Sequence, residues 1–273
     1  MARRPALSPS RANDFRQCPL LFRLRTIDRL PEPKSSAATL GTLVHLVLER
    51  LFDLPAEDRT EDSAARALRP GWEEMLAKDP ALAELHADDA ALAAWLDEAR
   101  ARLRTYFTLE NPMRLEPSGR EEFVELQLED GPLLRGIIDR VEVAPDGSIR
   151  LSDYKTGRTP PPNYGQKERF QMRFYALLVD RIRGRRPALL QLLFLKDGGR
   201  LDLRPTPDDL AQVEFEIRAL WDEIVAAAKA GAFRPQRSKL CDWCSFKELC
   251  PEFGGTPPAL SPERALDALG VTA

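Results

Sequence analysis

LLRGIIDRVEVAPDGSIRLSDYKTG, residues 133–157, is two aliphatic runs on either side of a Pro-Asp-Gly turn. Leu133 to Val143 and Ile149 to Lys155 carry strand-forming residues, and Ala144-Pro145-Asp146-Gly147 is a tight-turn signal, so the spacing predicts an antiparallel pair. Asp153 and Lys155 are two apart and point to one face of the second strand. Asp139 stands on the first, where Gly136 leaves room for close backbone or ligand approach. Two carboxylates and an ammonium at this spacing suit phosphodiester cleavage with a divalent metal. A hard cation such as Mg2+ takes carboxylate and water oxygens and bridges to phosphate. The amine positions the attacking water or offsets charge in the transition state. A surface strand closed by a salt bridge is the plain alternative for the Asp-Tyr-Lys triplet alone.

Working outward, Glu121 to Leu128 reads as a further strand, which makes a three-stranded meander. A Pro-rich loop, Thr159 to Pro162, leads into a helix from about Gln166 to Arg181. Gln171 and Tyr175 are four apart on one face of that helix, and Phe170, Phe174 and Leu178 supply its core contacts. A glutamine and a tyrosine beside a carboxylate pair order water or phosphate through hydrogen bonds. Arg169 and Arg173 flank them and face a nucleic-acid backbone in this reading. Leu189 to Leu195 is predicted as a buried strand, Asp197-Gly198-Gly199 as a turn and Arg200 to Leu203 as a short strand. Thr206-Pro207-Asp208-Asp209 opens a long helix ending near Gly231.

Upstream, Ser8 caps and Pro9 starts a helix that runs to about Cys18, where Pro19 disturbs it. Gly41 to Phe52 is a second helix with Val44, Val47, Leu48 and Leu51 in one stripe and His45 beside it. A lone helical histidine is commonly structural, yet a neutral imidazole completes a metal site when carboxylates supply the rest. Residues 53–109 read as two or three helices, the strongest from Ala81 to Leu109, and His86 there is taken as a surface residue. The order of elements predicts an α/β fold: a mixed central sheet flanked by helices, with an inserted helical lobe at 53–115.

Cys241, Cys244 and Cys250 sit in a loop-rich segment at 235–253, and Cys18 is the remaining cysteine, far upstream. Four thiols converging on one centre would staple the ends of the chain together. By count they fit a [4Fe–4S] cluster or a four-cysteine zinc site equally well. A Pro- and Gly-rich tail is expected over 254–273.

The net charge of −3 hides segregation. Residues 1–34 hold eight Arg/Lys against three Asp/Glu, 158–186 hold eight against two, and 53–98 hold thirteen acids against four bases. Basic stripes beside an acidic lobe are compatible with a polyanion held on one face. No run of about 18 apolar residues exists, and Arg3-Arg4 precedes no apolar region of a leader peptide, so the expected compartment is the cytoplasm. Thiols stay reduced there, which favours a metal or cluster over disulfides.

Together, Cys18, Gly41-x3-His45, Gly-Ile-Ile-Asp139, Asp153-Tyr-Lys155-Thr-Gly, Gln171-x3-Tyr175 and Cys241-x2-Cys244-x5-Cys250 resemble the PD-(D/E)xK nuclease superfamily. More closely, they are similar to the RecB-like exonucleases with an iron–sulfur cluster, including CRISPR-associated exonucleases and the nuclease domain of AddB-type helicase–nucleases. The resemblance implies a restriction-endonuclease-like fold in a single nuclease domain, residues 1–273. It implies Mg2+ or Mn2+ on His45, Asp139 and Asp153 with the Tyr154 carbonyl, and Lys155 orienting the nucleophilic water. Gln171 and Tyr175 would support substrate and site order, and Cys18, Cys241, Cys244 and Cys250 would hold a [4Fe–4S] cluster. Asp153 replaces the commoner glutamate and reaches one methylene less far. The implied substrate is DNA, single-stranded or with frayed ends, in repair, recombination or CRISPR adaptation. No Gly-x4-Gly-Lys-Ser/Thr motif is present, so unwinding is left to a helicase or CRISPR-associated partner. The competing readings are a non-catalytic nuclease-like binding module and a zinc-stapled interaction protein.

Overall fold

The computed structural model describes residues 5–161 and 164–271. Arg3-Arg4 and Pro162, the end of the expected Pro-rich loop, lie outside them.

Five strands form one sheet in the order β1-β2-β3-β4-β5: β1 Gly119–Gln127, β2 Leu133–Val143, β3 Ile149–Lys155, β4 Leu189–Phe194 and β5 Gly199–Leu203. All neighbours are antiparallel except β3 and β4, which are parallel and joined by α6, Gln166–Arg183. A parallel pair needs a crossover longer than a tight turn, and this helix supplies it. Glycines in the left-handed region, Gly165 (φ 91°) and Gly184 (φ 64°), bound the helix at its two ends. The sheet is therefore mixed, with a restriction-endonuclease-like order of elements.

Both faces of the sheet are covered, because strand alternation sends apolar side chains to both. Leu151, Leu190, Leu192 and Phe194 join a core with α1 (Pro9–Gln17), α6 and α7 (Pro207–Lys229). Tyr154, Leu193 and Leu195 point the other way, into a core with α3 (Ser36–Leu51), α4 (Glu61–Lys78) and α5 (Asp89–Leu109). The lobe expected as an insertion is thus a helical layer that packs with α3 on the sheet. A short helix α2, Pro19–Phe22, follows α1 and leads into a wide helical turn, Arg23–Ile27.

Expectations change in the helical layer and the tail. The helix expected over 81–109 begins at Asp89, because Asp88 caps it, its Oδ1 accepting the Ala91 N–H at 2.8 Å; residues 80–85 form a separate tight turn behind Pro80. His86 is no surface residue: it is half-buried with its ring 5.5 Å from Trp72 and 4.9 Å from Trp95. The expected tail contains α8, Pro262–Leu269, which Ser261 caps and whose Ala265, Leu266 and Leu269 are buried in the main core.

Candidate active site

Two turns bring three carboxylates into one row. The β1–β2 turn closes with the Gly131 N–H on the Leu128 carbonyl, and the pairs Arg120–Arg140 and Glu122–Ile138 bracket Glu121 against Asp139. The β2–β3 turn is fixed by the Ser148 N–H on Asp146 Oδ1 at 2.8 Å. One step beyond the pair Arg140–Ser152, Asp139 lies beside Asp153. Glu121, Asp139 and Asp153 therefore occupy neighbouring positions on three adjacent strands. Asp139 is anchored by the Tyr154 N–H, which donates to its Oδ2 at 2.7 Å.

Helix α3 brings His45 onto this row. Gly41 lets the helix pass Thr156 closely, since a Cβ there would sit 3.3 Å from Thr156 Oγ1. His45 Nε2 lies 2.9 Å from the Tyr154 carbonyl and donates to it, which leaves Nδ1 facing Asp139 Oδ2 at 3.5 Å and Glu121 Oε1 at 3.6 Å. Burial disfavours the imidazolium, but Asp139 and Glu121 outweigh it and raise the His45 pKa well above its ordinary value. His45, Glu121 and Asp139 offer ligand atoms all within 4.8 Å of one another, a donor set suited to a cation. Glu121 escaped the sequence reading, which placed it only at a strand start. It takes a left-handed φ of 43°, a conformation costing a non-glycine residue roughly 1–2 kcal/mol and one that concentrates at functional sites.

Asp153 connects the row to α6. Its Oδ1 accepts from Gln171 Nε2 at 2.7 Å, and Lys155 Nζ donates to Gln171 Oε1 at 2.8 Å. Gln171 Nε2 also reaches Tyr175 Oη at 3.3 Å. Asp153 Oδ2 lies 2.6 Å from Lys155 Nζ in a buried ion pair. Burial, and then Asp139, push the Asp153 pKa up to about 6. Burial acts against the Lys155 ammonium, but Asp153 more than offsets it and the pKa rises, so the amine is a charged donor at neutral pH. A buried carboxylate beside a His–Glu–Asp trio is a donor set that would suit a divalent cation. Gly136 fits the expectation of close approach: a Cβ there would lie 2.4 Å from Tyr175 Cε1. Arg173 pairs with Asp209 on α7 at 3.0 Å.

The four cysteines are free thiols lining one pocket with Leu20, Leu21, Leu24 and Phe246. Phe246 is buried against those three leucines, which fastens the 235–253 segment to α2. The Gln236 N–H points at Cys18 Sγ (3.4 Å) and the Ser238 N–H at Cys241 Sγ (3.3 Å). Burial, followed by the nearby sulfurs of Cys18, Cys244 and Cys241, raises the Cys250 pKa. All four sulfurs thus belong to one pocket, and backbone N–H groups are aimed at two of them.

No helix of the described residues is long and apolar enough to cross a membrane. The sequence profile of the PD-(D/E)XK nuclease superfamily matches residues 6–251. The chain is 25% identical over 271 residues to the Gene 69 protein of Mycobacterium phage D29, spanning 91% of this chain and 97% of that one. It is 27% identical over 157 residues to an ATP-dependent helicase/deoxyribonuclease subunit of Streptococcus mutans, covering 56% of this chain but 14% of that protein. A candidate exonuclease from Eubacterium rectale shares the fold, with a TM-score of 0.59 and 15% identity over 88% of this chain and 87% of that one. With the carboxylate row, the lysine and the mixed sheet in the positions the profile spans, the chain belongs to the PD-(D/E)XK nuclease superfamily.

Proposed function

We propose that this nuclease is a Mg2+- or Mn2+-dependent DNA exonuclease that prefers single strands or frayed ends. The observation that carries the reading is the row Glu121–Asp139–Asp153, with His45 at one end and Lys155 at the other. His45, Glu121, Asp139 and Asp153 would hold the cation with the Tyr154 carbonyl, and the cation supplies charge neutralisation at the scissile phosphate and acidifies water. Asp139 is held in place by the Tyr154 N–H, so its carboxylate is oriented before substrate arrives. Lys155 keeps its proton and is steered by Gln171 and Asp153, which suits donation to a phosphate oxygen or to the attacking water. Tyr175 supports Gln171 from the next turn of α6. Cys18, Cys241, Cys244 and Cys250 would hold a [4Fe–4S] cluster that ties the 235–253 segment to α2, with zinc as the competing metal. The streptococcal relative is named as part of a helicase–deoxyribonuclease, which supports a helicase partner and a role in repair or recombination.

End-labelled single- and double-stranded DNA incubated with Mg2+, Mn2+ or EDTA tests the reading. Progressive release of short products from single strands, only with metal, is expected. Anaerobically purified protein should be brown with about four irons per chain. Metal-independent cutting, or no cutting of any DNA, contradicts the first part; stoichiometric zinc contradicts the second.

A further inference from the structure

Trp243 is the most exposed large apolar side chain among the described residues, at 79%. It ends the tight turn Lys239–Trp243 inside the cysteine segment, and the Cys244 N–H closes that turn on the Cys241 carbonyl at 3.2 Å. Phe246, three residues on, is buried and holds the segment down. The indole is therefore presented on an anchored support. Arg234, Arg237 and Lys239 precede it in sequence and are exposed. Among the described residues, Arg234 and Lys239 pair with no carboxylate, whereas Arg173, Arg181 and Arg183 along α6 are paired with acids. Exposed positive charge thus lies close in sequence to an open aromatic face.

One residue of this patch, Arg237, leads towards the candidate active site. Arg237 and Gln17 line the cysteine pocket together. Gln17 Oε1 accepts from Lys167 Nζ at 3.2 Å, and Lys167 stands one turn before Gln171 on α6. Unpaired cations and an exposed aromatic along one path are the elements of a single-strand track, where phosphates meet the charges and an unstacked base covers the ring. A duplex keeps its bases stacked on each other and offers only its terminal pair.

We propose that Trp243 is a stacking platform for one base of single-stranded DNA, with Arg234, Arg237 and Lys239 contacting the flanking phosphates, on the strand whose end lies at the carboxylate row. The proposal rests on the nuclease reading. Its test is fluorescence anisotropy of labelled oligothymidylate with the intact protein in EDTA, so that no cutting intervenes. Trp243→Ala should weaken binding about tenfold, the effect of one stacked base, while Trp243→Phe stays within about threefold, a benzene ring offering a smaller stacking face. Affinity for blunt duplex should change less than twofold, roughly, because no base face is offered there. The double variant Arg237→Gln/Lys239→Gln should flatten the dependence of log Kd on log salt by about 1.4, or 0.7 per lost phosphate contact. Wild-type affinity in Trp243→Ala, or no binding of oligothymidylate by the wild type, overturns the proposal and points to a protein-binding face. If Trp243→Ala melts early or loses its metal, the Phe and double variants decide. The nuclease reading fails separately, by absence of metal-dependent cutting even where the Trp243→Ala binding defect is present.

Discussion

Glu121 and Asp139 are equally far from Asp130, and Asp139 and Asp153 equally far from Asp146. Each aspartate at a midpoint sits in a turn, so the hairpin symmetry that aligns the row was written in the sequence. Asp139, Asp153 and Lys155 could be read from strand spacing; Glu121 required the centre of the β1–β2 turn to be placed at Asp130. The side-chain roles also differ from spacing alone: Asp153 engages Lys155 and Gln171, while Glu121 and His45 close on Asp139. Two predictions belong here. Gly136→Ala places a methyl group against the Tyr175 ring; displacing the ring by about 1 Å should lower cleavage up to about a hundredfold with little change in Mn2+ affinity, and unaltered kinetics would show that Tyr175 does not order the site. Asp153 holds its proton up to about pH 6, and protons compete with a cation for the same oxygens. Mn2+ affinity, followed by electron paramagnetic resonance, should therefore be nearly flat above pH 6 with respect to Asp153 and fall about tenfold per unit below it. Since the raised His45 pKa adds a competing proton in the same direction, a profile flat from pH 7 to pH 5 contradicts the assignment.

Among the elements, the strands and α6 matched the expected positions closely, because their apolar periods and bounding turns are strong. The N-terminal and helical-layer boundaries were less legible. Ser35 starts α3 well before the expected Gly41, its Oγ accepting the Ala38 N–H, and Asp88 starts α5 after a Pro80 turn. Both are single capping residues in stretches whose composition is helical throughout. The α8 segment was missed because one Ser-Pro cap and eight residues carry little periodic signal amid prolines and glycines. Its burial is tertiary: Leu266 and Leu269 fill the core shared by the sheet, α6 and α7. Leu266→Ala should cost about 2–5 kcal/mol in chemical denaturation. A loss below about 0.5 kcal/mol, the usual surface effect, would mean that α8 is not docked. Arg140 joins layers in another way. Fully buried, it pairs with Glu110 after α5 and Glu142 on β2, and donates to Tyr154 Oη at 2.7 Å. The residue whose carbonyl faces His45 is thus tied at its other end to the helical layer.

At the scale of the whole molecule, the fold puts the site where three parts meet: α3 from the helical layer, the ends of β1 to β3, and α6 from the opposite layer. The basic stretch seen in the sequence is partly neutralised locally, because Arg173, Arg181 and Arg183 pair with Asp209, Glu214 and Glu122. Composition could not show which cations are spent; pairing could. The cysteine segment was legible as a clasp from four residues, and its packing on α2 places Cys18 beside the distant trio. The most direct test compares Mn2+-dependent cleavage of labelled single-stranded DNA by the wild type, Lys155→Ala and Asp153→Ala, with circular dichroism as the control for folding. Metal-dependent cutting by the wild type, reduced by roughly a thousandfold or more in both folded variants, is expected for loss of a charge-stabilising group. Undiminished cutting by either variant would contradict the assignment of the row and its lysine as the catalytic centre.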